Sequence, residues 1–522
     1  MSWRDEVEEI ERRRVLAAEH GGAEAVARHH ERGRLTIRER INGLADPGSF
    51  REMGPIAGRA ERDADGGLVG FTPANYVLGT ALVDGRRLVV GGEDFTQRGG
   101  SPSPAGLKKS VMAEDLACRL RLPLVRFLEG AGGSVTGTAG KGAAAPPPPP
   151  PETPFEGHRF LSIMRAMSQA PVASAGLGAV AGLPAARLVA SHFAVMTRET
   201  AQVLVAGPAI VERALGEAKT KEELGGARVH ARSGVVDAVA DDEADAFARI
   251  RTFLGYLPTN VWESAPRTAC DDPPGREDPE LLERIPRERR RVYDARALLA
   301  SVVDLGSFFE LAPGHGRAQI TGLARLAGQP VGVWANDPSF YAGSMTADGA
   351  RKVRRFVDLC DTFHLPIVAF VDEPGFMVGA KAERDATIRH GAEALFAVVQ
   401  SEVPWCSVMV RKCYGVAGAA HFAPGAYVIA WPSAESGALP LEGGVAVAFR
   451  REIAAAPDPE AKRRELEESL AARRNPFAAA EAFGVHDMID PRRTRPVLCD
   501  WVESVQAGLA SLTGPRAHSI RP

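Results

Sequence analysis

LPLVRFLE at residues 122–129 returns as LPIVAFVD at residues 365–372, 243 residues later, with four of the eight positions identical. Each copy is a nearly continuous apolar run that ends in an acidic residue and follows a helix-like stretch. Such runs predict buried strands, and a strand that follows a helix predicts an αβ repeat. The fold therefore depends on a unit that the chain contains twice.

The similarity extends outward from this stretch in both directions. Residues 85–89 match 328–331, residues 45–50 match 303–308, and Gly182 aligns with Gly415 at a spacing of 233. Several matches in one order predict two homologous domains in tandem, at residues 1–265 and 266–522, with a polar, turn-forming border within 258–295. Because strands alternate with helices in each half, the predicted class is α/β with largely parallel sheets and right-handed crossovers.

Composition limits the function classes. The 522 residues carry 63 Lys and Arg against 66 Asp and Glu, a net charge of -3, which argues against a nucleic-acid partner. No apolar run approaches the roughly 18 residues of a membrane span, and the charged N-terminal stretch is not a secretory signal. Six scattered cysteines without a C-x-x-C pair predict a reduced, cytoplasmic protein with no cysteine-based metal site.

Common cofactor and catalytic motifs are absent from the sequence. The glycines of residues 176–182 have G-x-G-x-x-x-G spacing rather than that of a dinucleotide loop, and residues 140–142 lack the remainder of a P-loop. His29 and His30 lie in a charged helix, where we expect solvated side chains rather than metal ligands. The proline run at 146–151 predicts a polyproline II stretch, interpreted as a tolerated surface insertion rather than a docking motif.

What is left is glycine-rich backbone after strands, at residues 130–133, 176–182, 375–379 and 414–418. Glycine lets backbone N–H groups approach a ligand closely, and two such groups can form an oxyanion hole for a thioester enolate. The alternative is that these glycines only allow close packing of helices on strands. Their recurrence at matching places in both halves favours the functional interpretation.

Ordered motifs along nearly the whole chain resemble the carboxyltransferase β subunits of biotin-dependent acyl-CoA carboxylases. The motifs are RGRLTIRERI at 32–41, EDFT at 93–96, GGS at 99–101, ELGGA at 223–227, DEPGF at 372–376, IRHGA at 388–392, RKCYG at 411–415, AWP at 430–432 and NPFAAA at 475–480. The resemblance implies two crotonase-like (ClpP/crotonase) ββα-spiral domains, the N-terminal one on the acyl-CoA side and the C-terminal one on the biotin side. It implies that carboxybiotin on a separate carrier supplies a carboxyl group to the α-carbon of an acyl-CoA.

The family uses two backbone oxyanion holes rather than a side-chain nucleophile. The resemblance carries the hole for the enolate oxygen to Gly182 and Leu183. It carries the hole for the biotin ureido oxygen to Val416 and Ala417, with Gly415 adjacent. Leu183 and Val416 stand where the family has a second glycine, which makes the pocket bulkier but leaves the backbone donors.

The resemblance also implies substrate contacts. They are Gly99, Gly100, Ser101 and Lys108 for CoA, Gly132, Gly133 and Ser134 in an altered strand-end turn, and Gly418 and Ala419 in the acyl pocket. The last two replace a bulky aromatic and a charge, which predicts room for an acyl group other than propionyl.

The sequence contains no M-K-M biotinylation tetrapeptide and no ATP-grasp loop. The chain is therefore expected to need a partner with biotin carboxylase and biotin carboxyl carrier functions. The resemblance further implies a homo-oligomer built from dimers, usually a hexamer, whose active sites form between subunits.

Two alternatives stay open. The same fold and holes serve the carboxyltransferase subunits of biotin-dependent acyl-CoA decarboxylases, and the sequence does not give the direction. A non-catalytic scaffold homologue is the other alternative, supported only by the substitutions at Leu183 and Val416. A crotonase-type hydratase is disfavoured, because Glu129, a strand-end acid near a candidate turn, is expected to cap or pair rather than catalyse.

Overall fold

The computed structural model describes residues 2–130, 160–472 and 477–516. The proline run at 146–151 lies outside these residues. The chain divides into two compact units, Met1–Glu263 with Gly514–Pro522, and Ser264–Thr513. Each unit is built around its own sheet.

Ten strands are described in the N-terminal unit. They are β1 Arg51–Glu52, β2 Gly58–Arg62, β3 Leu68–Pro73, β4 Tyr76–Val83, β5 Arg86–Glu93, β6 Leu124–Gly130, β7 Val172–Ala181, β8 Phe193–Thr197, β9 Gln202–Leu204 and β10 Ala238–Ala240. The sheet has the order β1-β4-β5-β6-β7-β8-β10, with β9 paired to β7, while β2 and β3 form a separate hairpin. Strands β5, β6, β7, β8 and β10 run parallel to one another. Strand β4 is antiparallel to both of its neighbours, β1 and β5.

The C-terminal unit repeats this sheet. Its described strands are β11 Phe309–Leu311, β12 Gln319–Leu326, β13 Gln329–Asn336, β14 Ile367–Glu373, β15 Trp405–Tyr414, β16 Tyr427–Ala430, β17 Glu435–Gly437 and β18 Asp487–Met488. Their order is β11-β12-β13-β14-β15-β16-β18, with β17 paired to β15. The two sheets therefore match strand for strand, and the expectation of two similar α/β domains is confirmed.

The helices pack around these sheets. In the N-terminal unit they are α1 Arg4–Ala18, α2 Ala23–His30, α3 Ile37–Leu44, α4 Pro104–Leu120, α5 Phe160–Met167, α6 Leu183–Val189, α7 Pro208–Leu215, α8 Lys221–Gly225, α9 Ala227–Ser233 and α10 Glu243–Tyr256. In the C-terminal unit they are α11 Leu281–Arg284, α12 Ala295–Val302, α13 Ala347–Thr362, α14 Ala380–Arg384, α15 Thr387–Gln400, α16 Gly415–Ala419, α17 Leu441–Ala448, α18 Arg450–Ala455, α19 Pro459–Ala472, α20 Ala478–Glu481 and α21 Thr494–Ser511. None of the helices described here is long and apolar enough to cross a membrane.

Local sequence explains the first hairpin of each sheet. Asp84 and Gly85 join β4 to β5 with φ values of 51° and 75°, and Ala327 and Gly328 join β12 to β13 with 51° and 79°. Positive φ at both central residues defines the type I′ turn, whose twist matches that of paired strands. The repeated stretch then supplies β6 and β14, and all seven residues of each strand are buried.

Candidate active site

Two glycine turns occupy equivalent places in the two sheets. Strand β7 ends at Ala181, and Gly182, with φ 67° and ψ −129°, leads into α6. Strand β15 ends at Tyr414, and Gly415, with φ 62°, begins α16. Positive φ at these positions favours glycine, because a Cβ would be strained there. We call them the Gly182 turn (Gly182 and Leu183) and the Gly415 turn (Gly415, Val416 and Ala417).

Both turns present main-chain amides at the start of a helix, where N–H groups have no partner within the helix. Gly182 is exposed and Leu183 half-buried. Val416 is 55% exposed, whereas Ala417 is buried. The structure thus places the residues of each predicted pair at the same strand end, although their role as oxyanion donors stays a prediction.

Other predicted residues gather at the carboxyl edge of the N-terminal sheet. Gly99, Gly100 and Ser101 follow β5, and Gly100 lies so close to the end of β6 that a Cβ would collide with the carbonyl oxygen of Glu129. Strand β6 in turn pairs with β7 up to Val180, just before the Gly182 turn.

Four predicted substrate contacts remain, one of them on α4 and three outside the described residues. Lys108 is exposed on α4, and its contact with CoA stays a prediction. Gly132, Gly133 and Ser134 lie outside the described residues.

The predicted acyl-pocket residues follow the Gly415 turn. Ala419 is exposed, whereas Gly418 is buried. A Cβ at Gly418 would lie 3.0 Å from the carbonyl carbon of Cys413 and 3.1 Å from its Sγ, so this position has little room for a side chain. Behind them, the ring of His421 stacks on Trp334 with centroids 3.8 Å apart.

A buried ion cluster surrounds Glu129 at the end of β6. Its carboxylate lies 2.9 Å from Arg34 Nη1 and 2.7 Å from Arg40 Nη2, and Arg40 also donates twice to Glu243 at 2.8 Å. Burial opposes the charge of Arg40, but Glu129 and Glu243 more than offset it and raise its pKa. Glu129 therefore pairs, as the sequence predicts for a strand-end acid.

The expectation of a solvated His29 is wrong. His29 is buried, with Nε2 3.1 Å from the Leu35 carbonyl oxygen and 3.5 Å from Glu129. Burial lowers its pKa. The charged residues of α2 suggest an exposed helix, yet its last turn packs against the Glu129 cluster, which is formed by residues distant in sequence.

The C-terminal unit compensates the equivalent acid differently. Asp372, 243 residues after Glu129, pairs with Arg411 of the neighbouring strand β15 at 2.9 Å. The position in β7 that corresponds to Arg411 is Gly178, where a Cβ would collide with the Glu129 carboxylate. One acid is thus neutralised by the α3 residue Arg40 and by Arg34, which lies between α2 and α3, and the other by an arginine of its own sheet.

Glu373, the last residue of β14, is fully buried. Its carboxylate accepts hydrogen bonds from Gln319 Nε2, Asn336 Nδ2 and the amides of Met345 and Gly375 at 3.0–3.2 Å. Burial outweighs these donors and raises the pKa of Glu373 to about 8. Glu93, at the end of β5, is also buried, and burial raises its pKa to about 7.

We expect the stability of the protein to fall as the pH rises from about 5 to 8. Between the ordinary glutamate pKa and the raised pKa of Glu373, the folded protein holds a proton that the unfolded chain has released. Raising the pH therefore favours unfolding, by up to about 1.4 kcal/mol per pH unit from this group. The groups that face Glu373 are the side-chain amides of Gln319 and Asn336 and the thiol of Cys413. Burial, and then the charge of Glu373, raise the pKa of this thiol to about 12.

The measurement is the urea midpoint at three pH values across that range. Glu373→Gln should reduce the slope and leave the part that Glu93 contributes below about pH 7, whereas Asp348→Asn, at an exposed acid of α13, should leave the slope unchanged. Equal slopes in wild type and Glu373→Gln would contradict the assignment.

Sequence reasoning missed Glu373, Gln319 and the Arg411–Asp372 pair as parts of the site region. Asp372 and Arg411 lie in stretches that the repeat singles out, and an acid and a base at adjacent strand ends could have suggested their pairing. Glu373 gave no such signal, because the equivalent residue in the first half is Gly130. Within the described residues, no group of three or more His, Cys, Asp or Glu could hold a metal ion.

The family model for the carboxyl transferase domain matches residues 28–512. The chain is 35% identical over 505 residues to the propionyl-CoA carboxylase carboxyltransferase subunit of Haloferax mediterranei, covering 95% of each. It is 32% identical over 513 residues to the methylmalonyl-CoA decarboxylase α subunit of Veillonella parvula, covering 96% of each.

Among solved structures, transcarboxylase 12S with methylmalonyl-coenzyme A and methylmalonic acid bound resembles this chain with a TM-score of 0.85 and 30% identity. The match covers 100% of this chain and 98% of that one, and the structure is described as a hexamer assembly. It confirms the predicted fold class.

Proposed function

This chain belongs to the carboxyl transferase family, and from that premise we propose that it moves a carboxyl group between carboxybiotin on a separate carrier and the α-carbon of an acyl-CoA. The observation that carries the proposal is the duplicated glycine turn. Gly182 and Gly415 follow equivalent strands, both with positive φ, and both offer backbone donors at the carboxyl edge of a mainly parallel sheet.

In this proposal the amides of Gly182 and Leu183 donate to the thioester oxygen as negative charge develops on it in the enolate. The amides of Val416 and Ala417 donate to the ureido oxygen of biotin, which when bound supplies the carboxyl group. The exposure of Gly182 and Val416 fits these roles, because a ligand can reach both turns. Donors that are already in position, and reactants that are bound next to each other, then account for the rate without a side-chain nucleophile.

Two of the surrounding acids support backbone rather than carboxylate catalysis. Glu129 and Asp372 are buried and paired with arginines, so neither is available as a general base. A hydratase mechanism needs positioned carboxylates, and these two are neutralised instead.

The proposal includes partners and assembly. The family resemblance supports a biotin carboxylase and a biotin carboxyl carrier as partners, and the described hexamer of transcarboxylase 12S supports a dimer-based hexamer. We propose a cytoplasmic location, supported by six free cysteines, three of them buried.

Decarboxylation is the second candidate function. The relative from Veillonella parvula, a methylmalonyl-CoA decarboxylase subunit that matches over 96% of the chain, supports it. The same two turns would stabilise the same enolate in either direction, so the partner subunits decide which one operates.

The reverse half-reaction tests the proposal. Purified protein is mixed with free biotin and a panel of carboxylated acyl-CoAs, and loss of the carboxyl group is followed with and without biotin. We expect biotin-dependent turnover, with acyl groups beyond propionyl accepted because the exposed Ala419 is small.

Two results would contradict this expectation. Binding of acyl-CoA without any turnover would favour the scaffold alternative. Activity confined to the acetyl and propionyl derivatives would contradict only the expectation about the pocket.

A further inference from the structure

The C-terminal unit contains three consecutive residues in the left-handed conformation. They are Tyr341, Ala342 and Gly343, with φ values of 51°, 55° and 90°. The equivalent residues 243 positions earlier are Arg98–Gly100, with φ values of 54°, 61° and 71°. The left-handed conformation strains any residue other than glycine, because its Cβ crowds the following carbonyl oxygen. The turn that contains Tyr341 and Ala342 therefore carries more strain than its glycine-rich counterpart.

Strain of this kind persists only where the surroundings hold it. The side-chain amides of Gln319 and Asn336 each donate to the Gly343 carbonyl oxygen, at 3.1 and 3.2 Å. The same two nitrogens donate to Glu373 Oε2, at 3.2 and 3.1 Å. Glu373 Oε1 accepts from the amide of Met345, two residues beyond the turn, at 3.2 Å. One buried carboxyl group thus binds the chain just beyond the turn directly, and binds the turn itself through two amide side chains.

We call Gln319, Asn336 and Glu373, with their hydrogen bonds around the Tyr341–Gly343 turn, the clamp. The N-terminal unit does not have the residues for this clamp. Positions equivalent to Gln319, Asn336 and Glu373 are Tyr76, Glu93 and Gly130. The clamp thus occurs in the unit whose turn has two non-glycine residues, and not in the unit whose turn has one. This correlation indicates that the clamp offsets the strain.

The clamped turn lies beside the candidate site. It follows β13, Glu373 ends β14, and the Gly415 turn follows β15, so all three are at the carboxyl ends of neighbouring parallel strands. Such an edge is where open α/β sheets bind ligands. Glu373 Oε1 also accepts from the amide of Gly375, where a Cβ would lie 4.0 Å from the Tyr414 carbonyl oxygen.

We propose that Glu373 is a positioning residue for the biotin-side half of the reaction. Its carboxyl group holds the Tyr341–Gly343 turn and Gly375 in place beside the Gly415 turn. The catalytic part of this inference rests on the proposed function. The conformational part, that Glu373 stabilises the strained turn, stands on the hydrogen bonds alone.

A double-mutant cycle tests the inference in the full-length protein. Glu373→Gln keeps the side-chain volume but replaces one acceptor oxygen by an NH₂ group, which faces two of the four N–H donors in either orientation of the amide. We expect the KM for free biotin to rise about tenfold in the reverse half-reaction, with the KM for acyl-CoA changed less than about twofold. Ala342→Gly relieves the strain, so adding it to Glu373→Gln should bring the biotin KM back to within about threefold of wild type.

Ala386→Gly is the matched control. Ala386, at the N-cap of α15, also has a left-handed φ of 55° but lies outside the clamp. It should stabilise wild type and Glu373→Gln equally and should not restore the biotin KM. The positioning role would be overturned if both glycine variants restored the biotin KM of Glu373→Gln equally. It would also be overturned if Glu373→Gln only reduced the amount of active protein and left both KM values unchanged.

Melting temperatures separate this inference from the proposed function. If the wild type showed no transfer, the proposed function would fail, and with it the catalytic part of the inference. The stabilisation of the turn by the clamp could still be tested, because Ala342→Gly should raise the melting temperature more in Glu373→Gln than in wild type. An equal rise in both would overturn it. If Glu373→Gln does not fold alone, folding of the Ala342→Gly double variant but not of the Ala386→Gly one supports the clamp, and the reverse contradicts it.

Discussion

Val416→Pro is expected to lower kcat of carboxyl transfer about 10²–10³-fold, whereas Val416→Ala should stay within a few-fold of wild type. Proline deletes one N–H group, the proposed donor to the ureido oxygen, and leaves the Val416 carbonyl that accepts from Ala420. Val416 lies in the first turn of α16, where proline is tolerated, so the fold should survive. Alanine keeps the donor and removes only a side chain that is 55% exposed.

The measurement is the reverse half-reaction, with circular dichroism and melting temperature as folding controls. Leu183→Pro and Leu183→Ala make the same comparison at the Gly182 turn, where Pro184 already follows Leu183 in the chain. If the proline and alanine variants lost activity equally, side-chain packing rather than the backbone donor would be responsible. If neither lost activity, the turn would not be an oxyanion hole.

Arg40→Met is expected to destabilise the protein by about 3–5 kcal/mol, the largest effect on stability that we anticipate. Arg40 is buried and binds both Glu129 and Glu243, so its removal leaves two acids without their shared cation. Arg34 still contacts Glu129, but Glu243 loses both hydrogen bonds from Arg40. Methionine has similar length and no charge, so the effect reports chiefly the lost ion pairs.

Urea unfolding followed by circular dichroism checks this at one fixed protein concentration, since assembly makes stability depend on concentration. Arg28→Met provides the control, because Arg28 and Glu24 form an exposed pair for which we expect less than about 1 kcal/mol. A loss below about 1 kcal/mol in Arg40→Met would show that the cluster is not buried in solution as it is in the structure.

The sequence predicted the architecture because the architecture is duplicated. The repeat around residues 122–129 and 365–372 identified β6 and β14, and the alignment of Gly182 with Gly415 identified the two turns. Hydrophobic runs and glycine spacing are local signals, and they lead directly to buried strands and tight turns. Comparison of the two halves therefore paired the two turns, and the family resemblance predicted their role, without any side-chain geometry.

The same comparison could not reveal what the halves do not share. Glu373 aligns with Gly130, and Arg411 with Gly178, so nothing in the first half pointed to either. Arg40 and His29 come from N-terminal helices that reach Glu129 only in the folded chain. Their partners are set by tertiary packing, which neither periodicity nor spacing contains.

Glu129 and Asp372 are paired with arginines from different parts of their units, and this difference bears on how the two halves diverged after duplication. Glu129 fills the space above Gly178, whereas Arg411 occupies the corresponding place beside Asp372. An arginine introduced at position 178 would displace Glu129, and a glycine at 411 would leave Asp372 without that cation. Neither half can therefore return to its sister's arrangement by a single substitution. Chimeras that exchange strands between the halves will need to transfer acid and cation together.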